Sequence, residues 1–248
     1  MHQSAMYYGG MFFKAYCQNH MNKELVIAEI GSQNVNGSLR DIAPEGSSYI
    51  GMDFVAGNGV DIIINDPYRL PLDNNSVDVV VSSSCFEHSE FFWLVLLEAL
   101  RILKKDGILY LNAPSNGFVH RWPVDCWRFY PDSGHALVNW ANRNGHNALL
   151  LESFVGKKSE GEVASGGAWN DFVAVILKDA SFAEHFDNRI IEELSEFTNG
   201  YSNKVSGVIN DSAENPDSTV LILQNERIKK LTNEVDNIKN LLNEKELL

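Results

Sequence analysis

Between Ser115 and Pro131 the chain reads SNGFVHRWPVDCWRFYP. His120 and Asp125 in this run, with His88 in the earlier run SSSCFEHSE, are the side chains suited to take a proton from a hydroxyl group. Imidazole titrates near neutrality, and a neighbouring carboxylate can pair with it. Arg121 and Arg128 can clamp a phosphate or carboxylate. Trp122 and Trp127 can stack on a sugar ring. Each has a plainer reading: His88 could open a helix, Arg128 could pair with a nearby acid, and the tryptophans could form an apolar lid. The run is long, non-periodic and directly follows a strand-like segment, and such loops in compact domains usually carry function.

A second group lies earlier. In VIAEIGSQNVNGSLR a β-branched run ends in Glu29, Ile30 and Gly31, followed by Ser32 and a polar turn. A second apolar strand, SSYIGMDF, closes on Asp53 and Phe54, where an acid can hold a ribose diol. A third, VDIIIND, ends in Asn65 and Asp66. A dinucleotide needs its pyrophosphate against a glycine-tight turn. Here Gln33 occupies the second glycine position, so a phosphate-free adenosyl ligand is favoured. S-adenosylmethionine needs a backbone turn for its amino-acid part, an acid for its ribose and a polar group at the adenine edge. Gly31, Asp53 and Asn65-Asp66 meet those needs in order. Glu29 is placed for the methionine amine. Ser83 and Phe86 lie at the next strand end, where Phe86 could equally be a wall of the site or core.

These residues must be positioned by a strand–helix alternation. Strands are expected at 25–30, 48–54, 60–65, 77–83 and 108–114. Helices are expected at 36–43, 89–104 and 132–145; the second ends at Lys104-Lys105-Asp106-Gly107 with Gly107 as its C′ residue, and the third is capped by Asp132 or Ser133. The runs ALLLESFVG and NDFVAVILK read as an antiparallel edge pair joined by a Gly-rich loop. The fold class is α/β: a Rossmann-like, doubly wound, mostly parallel seven-stranded sheet, carrying a C-terminal helical, coiled-coil appendage. Residues 1–22 form an aromatic helical cap and 23–179 the ligand-binding domain. An acidic amphipathic helix follows at 180–198, then a linker at 199–218. Residues 219–248 keep a heptad, with Ile228 and Val235 on one seam and Leu231 and Ile238 on the other, which favours a homo-oligomer.

The matching stretch runs from Val26 to about Ala113. Glu29-Ile30-Gly31, Asp53, Asn65-Asp66 with the lead-in Leu70 to Asp78, Ser83 to His88, and Lys105-Asp106-Gly107 resemble, in order, the motifs of class I S-adenosylmethionine-dependent methyltransferases of the type 11 group. The first motif lacks that group's usual second and third glycines. The resemblance implies S-adenosylmethionine as cofactor, flanked by the strand end that carries Ser83 and Phe86, and methyl transfer as activity. More loosely, Asn116 to Asp132 resembles members associated with bacterial polysaccharide and capsule biosynthesis, which implies O-methylation of a small polar or glycan-linked acceptor. The alternatives are a nicotinamide-dependent oxidoreductase, against which Gln33 argues, and a non-catalytic scaffold of the same fold.

The 248-residue chain has a formal net charge of −13, which repels nucleic-acid backbones and anionic lipid. Cys17, Cys85 and Cys126 have no disulfide or metal spacing, and no metal is expected. With no signal-peptide pattern and no long apolar run, the location expected is cytoplasmic.

Overall fold

The computed structural model describes residues 3–17, 24–157, 169–213 and 216–246. The Gly-rich loop expected between the last two strands lies outside them. Eight strands form one sheet in the order β3-β2-β1-β4-β5-β7-β6-β8. They are β1 Val26–Ile30, β2 Ser48–Asp53, β3 Ile62–Ile63, β4 Val77–Ser83, β5 Leu103–Pro114, β6 Leu149–Gly156, β7 Asp171–Leu177 and β8 Phe197–Ser202. β1 pairs in parallel with β2 and β4, β2 with β3, and β4 with β5. β7 runs antiparallel to β5 and β6, and β8 antiparallel to β6.

Alternation along the strands feeds two apolar layers. Ala28, Ile30, Val80, Leu109 and Leu111 face α2 (Phe92–Ile102) and α3 (Ser133–Arg143). Ile27, Val79, Val81, Tyr110 and Val175 face the opposite layer. That layer contains α1 (Gln3–Phe12) and the π-helical turn Phe13–Cys17 behind it. The aromatic residues of the N-terminus are spent there: Tyr8, Phe12, Phe13 and Tyr16 are all buried, and Phe12 stacks on Tyr110 with ring centroids 4.7 Å apart.

Several expectations need correction. The sheet has eight strands, not seven, and β6 is interior because β8 pairs with it. The helix expected at 180–198 is instead two 3-10 turns, Ala180–His185 and Ile190–Glu192, running into β8. The reason is Glu152 on β6, which is fully buried. Its carboxylate accepts from the backbone N–H groups of Ile190 (2.7 Å) and Ile191 (3.0 Å) and from the Tyr16 hydroxyl (2.5 Å). A continuous helix would claim those N–H groups for itself and strand a buried acid. The expected helix at 36–43 shrinks to the 3-10 turn Leu39–Ile42, with the Ser38 hydroxyl accepting from Arg40 N–H. α1 fills the adjoining space: a Cβ on Gly9 would lie 2.3 Å from Leu39 Cδ2.

β3 is only two residues long. α2 spans 92–102 rather than 89–104, and its C-cap is Leu103, already extended. Gly107 therefore lies inside β5, where a Cβ would meet Asp78 O at 2.9 Å, and it ends no helix. Asp132 precedes α3 without a side-chain capping bond, while Gly145 (φ +87) follows its last turn. Arg101 on α2 ties down the proline loop between β3 and β4, donating to Leu70 O and Leu72 O at 2.8 Å each. Residues 199–211, expected to be linker, belong to the sheet domain through β8 and the Gly200–Ile209 bridge.

A separate unit, Ser212–Leu248, consists mainly of the helix α4 (Pro216–Glu246). Its seam residues Ile228, Leu231, Val235 and Ile238 are all exposed in the single chain. Among the described residues no helix is long and apolar enough to cross a membrane.

Candidate active site

The strand order reverses direction between β1 and β4, so their carboxyl ends open a crevice. The residues expected to bind a cofactor gather on its rim. After β1 the chain turns at Gly31, with φ +82. A Cβ there would lie 2.6 Å from Cys85 Cβ, so only glycine lets the β1 and β4 loops meet. Gly31 and Ser32 both donate N–H to Met52 O, at 2.9 and 3.1 Å. Asp53 ends β2. Its Oδ2 accepts from Gln33 N (3.0 Å) and its Oδ1 from Phe54 N (2.7 Å). A carboxylate offers about four lone-pair positions, so acceptor capacity remains on Asp53 for a diol. Phe54 is half exposed beside it, an apolar face at the strand end. The hydroxyls of Ser32 and Ser83 are buried without a hydrogen-bond partner among the described residues, and Ser32 Oγ lies against Gly51 of β2.

Other expected cofactor residues lie differently. Glu29 is buried within β1, and the Tyr49 hydroxyl donates to its Oε2 at 2.9 Å. Burial pushes its carboxyl up to about 7. It shares the orientation of Ile27, toward the α1 layer, and so ties β1 to β2. Asn65 and Asp66 are exposed on the outer edge, and Asp66 Oδ1 accepts from Tyr68 N at 2.9 Å, capping the turn at Pro67. Phe86 is completely buried, in the layer that holds Phe92 and Phe129.

The long loop folds back over the β4 end. Cys126 N and Trp127 N donate to Glu87 O at 2.7 and 3.2 Å, which pins the loop to the 3-10 turn Phe86–His88. This brings His120 to the adjacent pair Glu87 and His88, 32 residues earlier in the chain. His88 and His120 meet edge to face, with ring centroids 4.8 Å apart. His88 Nε2 lies 3.7 Å from Glu87 Oε1. Glu87 is 1% exposed, and burial pushes its carboxyl up to about 8. Burial lowers the His88 imidazole below its usual range, so it is neutral at pH 7. Of the three, Glu87 was not foreseen as a site residue. Its only signal in the sequence was adjacency to His88 at a strand end.

Asp125 cannot serve as the base expected of it. Its carboxylate is nearly buried, takes a bidentate pair from Arg128 (2.6 and 2.8 Å) and accepts His120 N–H at 2.7 Å. The Arg128 guanidinium, first among these causes, holds it well below the ordinary carboxylate range. A carboxylate so stabilised takes up a proton poorly. Its Oδ2 lies 3.4 Å from His120 Nδ1, where it can orient that ring. Arg128 is correspondingly spent within the loop, donating also to Phe118 O at 2.7 Å, and is not left for an acceptor. Arg121 and Trp122 are exposed. Trp127, Arg128 and Phe129 instead form one wall of an open, mostly apolar cleft of about 600 Å³ against α2 and α3. Trp169, just before β7, was also missed. Its ring lies against His120 (centroids 4.6 Å apart) and beneath Arg128, and it closes the loop from the far side.

The crevice rim offers a tight glycine turn, an acid with acceptor capacity left and an apolar strand-end face, which suit the ribose and ring of an adenosyl cofactor without phosphates. Residues 23–111 match the family model described as a methyltransferase domain. Among solved structures, the 1,6-didemethyltoxoflavin-N1-methyltransferase of Burkholderia thailandensis, with 1,6-didemethyltoxoflavin and S-adenosylhomocysteine bound, is similar in fold. It shows a TM-score of 0.53 at 11% identity, over 71% of this chain and 79% of that one. The [4+2]-cyclase SpnF gives a TM-score of 0.52 at 14% identity, over 71% and 82%. These two neighbours share architecture while differing in reaction. No curated protein matches the chain by sequence.

Proposed function

We propose that the chain is an S-adenosylmethionine-dependent methyltransferase, a reading supported by the methyltransferase-domain match over residues 23–111, and that methyl transfer goes to an oxygen of a small polar acceptor, with a sugar-linked or phosphorylated sugar as the favoured class. The observation that carries this reading is the Glu87–His88–His120 group beside the cofactor crevice. A hydroxyl must lose its proton as it attacks, whereas a neutral amine needs no such help. The cofactor supplies an electrophilic methyl group. Gly31 and Ser32 hold the amino-acid end, Asp53 accepts from the ribose hydroxyls, and Phe54 covers the adenine. The acceptor hydroxyl lies against Glu87, His88 and His120, where its proton is drawn off, and Asp125 keeps the His120 ring aimed there. Arg121 is the cation available for an acceptor phosphate or carboxylate. Trp127 and Trp122 supply ring faces. Capsule or polysaccharide biosynthesis as the setting rests only on the resemblance of the 115–131 loop.

The test is incubation of the full chain with methyl-¹³C cofactor and a panel of nucleotide-linked and phosphorylated sugars, followed by carbon NMR of the product. A methoxy resonance is expected. Label appearing on nitrogen or carbon overturns the oxygen assignment, and turnover on unglycosylated acceptors alone overturns the sugar class.

We also propose that α4 joins copies of the chain as a parallel coiled coil. Its support is the exposed seam of Ile228, Leu231, Val235 and Ile238, since a lone helix with only a few good heptads is marginal in water. Sedimentation of the full chain should give a dimer or larger, and deletion of 216–248 should give a monomer. Equal masses per chain count in both samples would remove α4 from assembly.

A further inference from the structure

We propose that Glu87, His88 and His120 bind a divalent first-row transition-metal ion at the mouth of the crevice. Their candidate ligand atoms all lie within 4.8 Å of one another. The hydrogen bonds around the cluster fix which atoms are left. His88 Nδ1 is 2.5 Å from Val124 O, a group that only accepts, so Nδ1 carries the proton and Nε2 presents a lone pair. That lone pair faces Glu87 Oε1 at 3.7 Å. His120 Nδ1 has two acceptors beside it, Phe118 O and Asp125 Oδ2, each at 3.4 Å. It too is the protonated nitrogen, which leaves Nε2 free. Glu87 Oε2 is buried and has no partner. Two imidazole lone pairs and a buried carboxyl group thus converge, while the Arg128 guanidinium is turned to Asp125.

Such an arrangement is what a cation resolves. In metal sites a ligating imidazole commonly donates its other N–H to a carbonyl or carboxylate, as His88 does to Val124 and His120 can to Asp125. Metal bonds of about 2.0–2.2 Å place two ligands roughly 3–3.5 Å apart. Glu87 and His88 are already close to that. His120, whose side chain is 40% exposed, can rotate to close the remainder. Two imidazoles and one carboxylate suit Zn²⁺, Fe²⁺, Co²⁺ or Mn²⁺ better than Mg²⁺ or Ca²⁺, which prefer oxygen. Glu87 and His88 come from the turn after β4 and His120 from the long loop, so the site lies where these two segments meet. Occupancy of the site does not depend on the identity of the acceptor, but with an ion bound the imidazoles would be ligands, and the ion would acidify a coordinated hydroxyl in place of a free base.

The test uses the full chain, stripped with chelator, desalted and titrated with Co²⁺ under visible spectroscopy. Saturable ligand-field absorption is expected, abolished by Zn²⁺ and untouched by excess Mg²⁺. Loss of an outer partner of a ligand typically costs about 10–100-fold in affinity. Asp125→Asn should therefore weaken Co²⁺ about tenfold, and His120→Ala or Glu87→Gln by roughly a hundredfold or more. S-adenosylmethionine titration of the same samples reports on folding separately. A wild-type chain that binds the cofactor but gives no Co²⁺ absorption overturns the proposal, as does unchanged Co²⁺ affinity in His120→Ala, whose half-exposed ring is dispensable to the core. Metal uptake without cofactor binding would instead leave the metal site standing and defeat the proposed function.

Discussion

Asp53→Ala weakens S-adenosylmethionine binding by about 1.5–3 kcal/mol, the scale of lost hydrogen bonds to a charged group, or roughly 10- to 150-fold in dissociation constant. The substitution removes the acceptor for the ribose hydroxyls. It also frees Gln33 N, Phe54 N and the more distant Val55 N, the backbone donors that shape the loops on either side. Asp53→Asn separates these effects. It keeps one acceptor oxygen and much of the local geometry, and should fall between wild type and Asp53→Ala. Calorimetric titration reads all three. A folded Asp53→Ala chain with the wild-type dissociation constant would place the ribose elsewhere.

The largest stability loss is expected from Glu152→Ala. The deletion leaves Ile190 N–H, Ile191 N–H and the Tyr16 hydroxyl buried without acceptors, and it opens a void between β6 and the 3-10 turns. It also removes the anionic neighbour of Arg189, which is 2% exposed. Removing one partner of such a buried charged group costs about 3–5 kcal/mol, or roughly 10 °C in melting temperature for a domain of this size. Arg189 itself remains bonded to Leu151 O, Phe186 O and Asn203 Oδ1, so the loss is not larger still. Thermal unfolding followed by circular dichroism measures it. A shift below 2–3 °C, on the same scale, would mean that the 3-10 turns hold their course without the carboxylate.

The sequence alone determined the strands that carry the cofactor crevice. β1, β2 and β4 are short runs rich in apolar residues and followed by a polar or glycine turn, and their positions in the structure agree with the expected ones to within a residue. The positions of Gly31, Ser32, Asp53 and Ser83 followed directly, because each is fixed by its place at a strand end. The long loop was legible for the same reason, as a non-periodic run after a strand. What only the tertiary structure decided were matters of pairing between distant segments. Nothing in 180–198 shows that Glu152 will take the N–H groups of Ile190 and Ile191, so helical spacing misled there. Nothing in 115–131 shows that Asp125 and Arg128 will neutralise each other, or that His120 will be carried to His88 and Glu87. Periodicity reports which face of a local element is apolar. It does not report which buried charges will meet, because a buried charge is tolerable only with its partner, and that partner is chosen in three dimensions.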